Sequence, residues 1–181
     1  MIGKLFAAGD PAPYRHPKVW VREPADERER LRIGAGTGTM ELLKALAKSM
    51  REPLFLLVVM RAPQVVEVGR WESVALTHPE LTRFTDRYGE LFEEDARAQL
   101  WVGELDGAAM LVLDEHDLIY AYGPLRTFEL ELGERGYVPG DPHVPNPHEH
   151  RYSPQYDGLE QDLRRLWAWN RILPLDAVPE D

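Results

Sequence analysis

Apolar residues recur three and four positions apart in four segments, and this spacing predicts four amphipathic helices. The segments run from Thr39 to the residues before Pro53, through the stretch THPELTRFTDRYGELFEED, from about Pro124 to Glu134, and onward from Asp157. Two of them begin with the pattern of a capping box, formed by Thr77 with Glu80 and by Asp157 with Glu160. The helix that follows Thr77 carries the most consistent set of signals.

Short apolar or alternating runs between these segments predict strands at residues 18–22, 54–60 and around 65–74. The stretch QLWVGELDGAAMLVLDEHDLIYAYG adds three more, separated by an Asp106-Gly107 turn and by an acidic turn at residues 114–117. Sequential hairpins build antiparallel sheets. We therefore predict an α+β fold, with a mainly antiparallel sheet of about five to six strands and three to four helices packed mostly on one face.

The chain length and composition favour one folded domain. With 181 residues, 44% hydrophobic and 29% charged, the chain can bury a sizeable core. We predict a partly flexible N-terminal segment at 1–17, a single domain at 18–170 and a C-terminal tail at 171–181. The chain has no cysteine, the longest apolar run is the seven residues 54–60, and the first residues do not resemble a signal peptide. We therefore expect a cytoplasmic protein that is not embedded in a membrane.

The formal net charge of -10 arises entirely in the second half of the chain. Residues 1–97 hold 15 acids and 15 bases, whereas residues 98–181 hold 16 acids and 6 bases. Binding to a phosphate backbone needs clustered positive charge, so this distribution disfavours a nucleic-acid partner and is compatible with a basic protein partner. Residues 98–125 contain no lysine or arginine but five acids, which are Glu104, Asp106, Asp114, Glu115 and Asp117.

Three glycines, Gly34, Gly36 and Gly38, lie in the stretch IGAGTGT before the first predicted helix. This stretch resembles the S-adenosylmethionine-binding motif of the class I methyltransferases, and the resemblance implies a cofactor loop at residues 34–38. Only Leu31 and Ile33 before the loop are strand-like, so we expect no buried strand to precede it. The strand after the loop does not end in the acid that the family uses. The preferred interpretation is a glycine turn into a helix capped by Thr37 or Thr39.

Three histidines lie in the proline-rich segment DPHVPNPHEHRY, at His143, His148 and His150. If the end of this segment is extended, His148 and His150 point to the same side, because side chains alternate along a strand. Two imidazoles in that arrangement, with His143, Glu149 or an acid brought close by the fold as a third ligand, would bind zinc or nickel. His116 lies between carboxylates in its turn, where an Asp-His pair would suit general-base chemistry.

The remaining features favour a protein-interaction module over an enzyme. No serine-hydrolase elbow, P-loop or metalloprotease motif is present in the sequence. Trp167 and Trp169 would either anchor the last helix to the core or act as interface anchors beside the acidic half. The leading hypothesis is thus a non-enzymatic module that uses Glu104, Asp106, Asp114, Glu115, Asp117, Trp167 and Trp169 against a basic partner, similar in composition to bacterial immunity proteins and other toxin antagonists. The first alternative is a small metal-binding protein or metalloenzyme centred on His143, His148 and His150, and a less favoured one is an S-adenosylmethionine-binding domain that uses the glycine loop at residues 34–38.

Overall fold

A large sheet and four helices account for most of the chain. A computed structural model describes residues 3–166 and 169–171. The strands are β1 Leu5–Ala7, β2 Val19–Ala25, β3 Arg28–Gly34, β4 Leu54–Met60, β5 Gly69–Glu72, β6 Ala98–Glu104, β7 Met110–Leu113, β8 Leu118–Tyr122, β9 Val138–Pro139, β10 His148–His150 and β11 Asn170–Arg171. The helices are α1 Thr39–Ala47, α2 His78–Glu94, α3 Leu125–Glu134 and α4 Asp157–Leu166, with a short 3-10 turn at Pro154–Tyr156.

The main sheet has nine strands in the order β11-β5-β4-β6-β7-β8-β3-β2-β9. Neighbouring strands are antiparallel throughout the described sheet except for β2 and β9, which are parallel. A separate two-stranded sheet pairs β1 with β10. The predicted α+β class and the antiparallel meander of β6, β7 and β8 are therefore confirmed. The sheet is larger than the predicted five to six strands.

The core lies between the sheet and the helices. Along β4, Leu54 and Leu56 are fully buried while Phe55 is only partly buried, because successive side chains of a strand point to opposite faces. Phe84 and Tyr88 of α2 are buried one helical turn apart. Helix α1 contacts α2 and α3, and α2 contacts α4, so the helices form one layer over the sheet. No helix in the described ranges has both the length and the apolar character needed to cross a bilayer.

Strand β3 corrects the expectation that no buried strand precedes the glycine loop. Leu31 and Ile33 are fully buried, and the strand pairs with β2 on one side and β8 on the other. Arg30 and Arg32 lie on the opposite face, where both form ion pairs with Glu23 of β2, at 2.8 and 2.9 Å. Both neighbours are antiparallel, unlike the parallel strands that flank a Rossmann-type cofactor loop.

The glycine loop is a packed turn into α1. Gly38 is the N-cap residue, with φ of 79°, so the expected cap by Thr37 or Thr39 is wrong. The Thr39 hydroxyl instead donates to Asp117 Oδ1 at 3.0 Å. Gly34 allows a close approach of two other segments, because a Cβ there would lie 2.7 Å from the Cβ of His16 and 2.9 Å from the Cβ of Pro142. Close packing explains Gly34, whereas Gly36 and Gly38 have positive φ angles of 72° and 79°, which favour glycine.

A buried ionic cluster joins α4 to the start of strand β6. Arg97 is fully buried and its guanidinium group pairs with Asp95 and Asp157, both at 2.9 Å, and with Glu160. The Glu160 carboxylate also accepts the backbone N–H groups of residues 64–66. Helix α4 thus begins at Asp157, as predicted, but Glu160 does not cap it. Its carboxylate binds a distant loop instead.

The predicted capping box at the start of α2 is present. Both the hydroxyl and the backbone N–H of Thr77 donate to the Glu80 carboxylate, at 2.7 and 2.8 Å. We expect Thr77→Ala to lower the free energy of unfolding by about 1 kcal/mol, because the helix loses its cap. Urea denaturation would measure this change. Thr82→Ala, at an exposed position of the same helix, should stay within about 0.5 kcal/mol of the wild type, and equal losses in the two variants would contradict a capping role.

Candidate metal centre

Three histidines from two distant parts of the chain meet at one place. The ring centroids of His116, His148 and His150 lie 4.9–5.2 Å apart in all three pairs. One ligand atom from each residue lies within 4.8 Å of those of the other two. Three imidazoles that converge in this way can bind a transition-metal ion.

Two of these histidines come from the short strand β10. His148 and His150 occupy alternate positions and therefore lie on the same side of the strand, as the sequence predicted for an extended segment. The pairing of β10 with β1 fixes the register of the two histidines, since Ala7 pairs with His148 and Leu5 pairs with His150. The residue before β1, Lys4, donates to the carbonyl of Asp114 at 2.7 Å and so ties this small sheet to the turn that carries the third histidine.

The third histidine, His116, is held by the turn between β7 and β8. Asp114 organises that turn, because its Oδ1 accepts the backbone N–H groups of His116 and Leu118 at 3.0 and 2.9 Å. Its other oxygen, Oδ2, lies 3.0 Å from His116 Nδ1. Since a carboxylate accepts, the imidazole donates from Nδ1 and keeps the lone pair of Nε2 for a further ligand.

His148 and His150 each also have a ring nitrogen that can bind a metal ion. His148 Nδ1 lies 2.9 Å from the carbonyl oxygen of Pro145, which can only accept, so Nε2 of His148 also keeps its lone pair. His150 Nε2 is buried and has no hydrogen-bond partner among the residues that the structure describes. A buried polar atom without a partner is costly, and a bound metal ion would satisfy it. Zinc–nitrogen bonds of 2.0–2.1 Å place tetrahedral ligand atoms about 3.3 Å apart, so small ring movements would close the site.

The pKa values of His116 and His150 are shifted in opposite directions by their surroundings. The hydrogen bond to Asp114 raises the pKa of His116, with a further contribution from the charge of that carboxylate. Burial lowers the pKa of His150, and the neighbouring His116 lowers it further. Because the three rings lie so close together, a positive charge on one ring disfavours a positive charge on another. The neutral form that metal binding requires is therefore favoured at His150.

Asp114 and Glu115 also lie close enough to His116 to form a second candidate group. Their oxygens, however, already have partners. Both oxygens of Asp114 are bonded within the turn, as described above. Glu115 Oε2 accepts from the side-chain amide of Gln99 at 2.6 Å, and its Oε1 pairs with Arg61 at 3.1 Å. The three imidazoles are therefore the better ligand set.

His143, which the sequence analysis included in the metal site, lies outside this group of three. Its ring packs edge-on against Tyr14 with the centroids 6.2 Å apart, and its carbonyl accepts from the Tyr14 hydroxyl at 3.3 Å. His116 takes the third position, and sequence reasoning considered it only as half of an Asp-His pair. The spacing Asp114-x-His116 in a tight turn was the signal that pointed to an oriented imidazole.

The acids proposed as an interaction surface do not form one exposed patch. Glu104, Asp114 and Asp117 are buried, with relative exposures of 4%, 6% and 1%, and all three carboxylates bond within the protein. Asp106 is exposed and pairs with Arg51 at 2.6 Å. Binding of a basic partner thus stays a prediction that this placement does not favour.

The two tryptophans proposed as anchors lie near the end of α4. Trp169 is partly buried against the core, and its Nε1–H donates to the carbonyl of Leu163 at 2.9 Å. This contact agrees with the interpretation that the residue anchors the last helix. Trp167, and the part of the predicted tail at residues 172–181, lie outside the described residues.

Comparison of the chain with models of protein families, with curated proteins and with solved structures found no match.

Proposed function

We propose that this protein binds a divalent transition-metal ion, zinc or nickel, through His116, His148 and His150. The observation that carries the proposal is the orientation of the three rings. Two imidazoles donate from Nδ1 to fixed acceptors and keep Nε2 for a metal, and the third has a buried nitrogen without a partner among the described residues.

The donor set matches the chemistry of these metals. Imidazole nitrogen is a preferred ligand of zinc and nickel, and three protein ligands leave at least one coordination position open, as in catalytic zinc sites. Asp114 supplies the outer carboxylate that orients a ligating histidine in many metal sites. The proposal is thus a metal centre that can accept an additional ligand.

The test is a metal titration of the untagged full-length protein, after dialysis against a chelator, with a competing metal indicator. We expect one equivalent of zinc to bind. We expect His148→Ala and His150→Ala each to weaken the affinity by about 100-fold or more, because the loss of a direct ligand costs at least as much as the loss of a residue that only orients a ligand. His143→Ala is the matched control, because this histidine belongs to the same loop but lies outside the group. It should bind zinc like the wild type.

Two outcomes would overturn the proposal. One is the absence of stoichiometric binding of both zinc and nickel to a protein whose circular dichroism shows it to be folded. The other is wild-type affinity in the His148→Ala and His150→Ala variants. Elemental analysis of protein purified without a histidine tag would test independently whether the protein carries zinc or nickel.

The role of Asp114 can be tested separately. We expect Asp114→Asn to weaken zinc binding by about 10-fold to 100-fold, because the amide no longer accepts from His116 Nδ1 as a charged partner and so fails to orient the ring. The same titration measures this loss. Asp106→Asn is a suitable control, because Asp106 likewise accepts a backbone N–H within a turn, from Ala108 at 3.0 Å, but has no contact with a histidine. Similar losses in the two variants would argue against the orienting role.

A further inference from the structure

Glu115 lies beside the three histidines but is restrained from binding a metal there. Its two oxygens are bonded to Gln99 and Arg61, and its side chain is only 13% exposed. Gln99 is restrained in turn, because its side-chain oxygen accepts from Trp101 Nε1 at 3.1 Å. These contacts occupy both oxygens of Glu115 beside His116, so we expect this carboxylate not to act as a metal ligand.

Arg61 provides a positive group beside Glu115. Its side chain is 46% exposed, and one of its terminal nitrogens pairs with Glu115 Oε1. An arginine has five N–H donors in a planar fork, so most of the guanidinium group is left for another acceptor. Its position is set by the backbone as well, since the N–H groups of Arg61 and Ala62 both donate to the carbonyl of Arg97.

We propose that the metal centre takes an oxyanion, a carboxylate or phosphate group, as its additional ligand and that Arg61 determines this preference. The proposal rests on the metal site of the previous section. A divalent ion on three neutral imidazoles attracts an anion to its open position, and guanidinium groups bind planar carboxylates and phosphates through paired hydrogen bonds. Because Glu115 is already bonded on both oxygens, it does not occupy that position itself.

The experiment uses the full-length protein loaded with cobalt(II), whose visible absorption reports changes in coordination. Sodium acetate and methylphosphonate serve as the carboxylate and phosphate probes, and sodium perchlorate keeps the ionic strength constant. We expect at least one probe to change the spectrum in a saturable way. Arg61→Gln should weaken that binding by about 10-fold or more, because a charge-assisted hydrogen bond is lost, while the affinity for cobalt stays within about twofold.

Arg87→Gln is the matched control, because Arg87 is an exposed arginine on α2 that pairs with Asp162. It should bind both cobalt and the probe like the wild type. If cobalt binds but neither probe changes the spectrum, or if Arg61→Gln binds the probe as well as the wild type, the oxyanion proposal is wrong while the metal site stands. If cobalt does not bind at all, the metal site and the oxyanion proposal are both overturned. The two probes distinguish a carboxylate ligand from a phosphate ligand.

Discussion

Replacing Arg97 with alanine is expected to lower the free energy of unfolding by about 3–5 kcal/mol. The guanidinium group is fully buried among Asp95, Asp157 and Glu160, and it also donates to the carbonyl of Ser153 at 2.8 Å. Its removal leaves buried negative charge without a partner, which costs far more than the loss of an exposed ion pair. Urea denaturation followed by circular dichroism would measure the difference.

Arg87→Ala controls for the loss of an arginine in itself. Arg87 pairs with Asp162 on the surface, where ion pairs contribute less than about 1 kcal/mol. If Arg97→Ala prevents folding altogether, Glu160→Gln provides a milder test, because it removes one charge but keeps an oxygen that can accept from residues 64–66. If Arg97→Ala and Glu160→Gln each lower the free energy of unfolding by less than about 1 kcal/mol, the protein does not need the cluster for stability.

Zinc is expected to stabilise the folded protein by about 2.7 kcal/mol when the free metal concentration is 100 times the dissociation constant. The ligands come together only in the folded state, since β10 and the turn of His116 are far apart in sequence, so the metal binds the folded chain in preference to the unfolded one. Urea denaturation of the wild type with zinc and with a chelator would measure this difference.

The same measurement on two variants identifies the ligands. In His150→Ala the zinc-dependent stabilisation should disappear, whereas His143→Ala should keep all of it. A variant of His150 that zinc still stabilises by the full amount would exclude this residue as a ligand. A loss of stabilisation in His143→Ala would mean that the site extends beyond the three histidines.

The elements predicted correctly are those with strong local signals. Helix α2 combines a capping box at Thr77 with regular apolar spacing, and the meander combines apolar runs with an Asp106-Gly107 turn. Strand β3 was missed as a buried strand because two arginines, Arg30 and Arg32, alternate with Leu31 and Ile33. Their charges are balanced across the outer face of the sheet by Glu23, and sequence periodicity does not reveal such a cross-strand partner.

The candidate site was predictable only in part, for a similar reason. Alternation along an extended segment predicts correctly that His148 and His150 lie on one side. The third ring, His116, comes from a turn more than thirty residues earlier, and the pairing of β1 with β10 brings the two parts together. His143 is closer in sequence to the pair, but its contacts with Tyr14 place it elsewhere. Local spacing does not report a contact created by a strand at the other end of the chain.

The pairing of β1 with β10 also has a consequence for the timing of assembly in the cell. Leu5 and its partner His150 are about 145 residues apart, so the ribosome makes one strand long before the other. At about 5–20 residues per second, this interval lasts roughly 7 to 30 s. During that time β1 lacks its partner, and His116 is itself made only 34 residues before His150. Metal binding at the proposed site would therefore require that synthesis has passed His150.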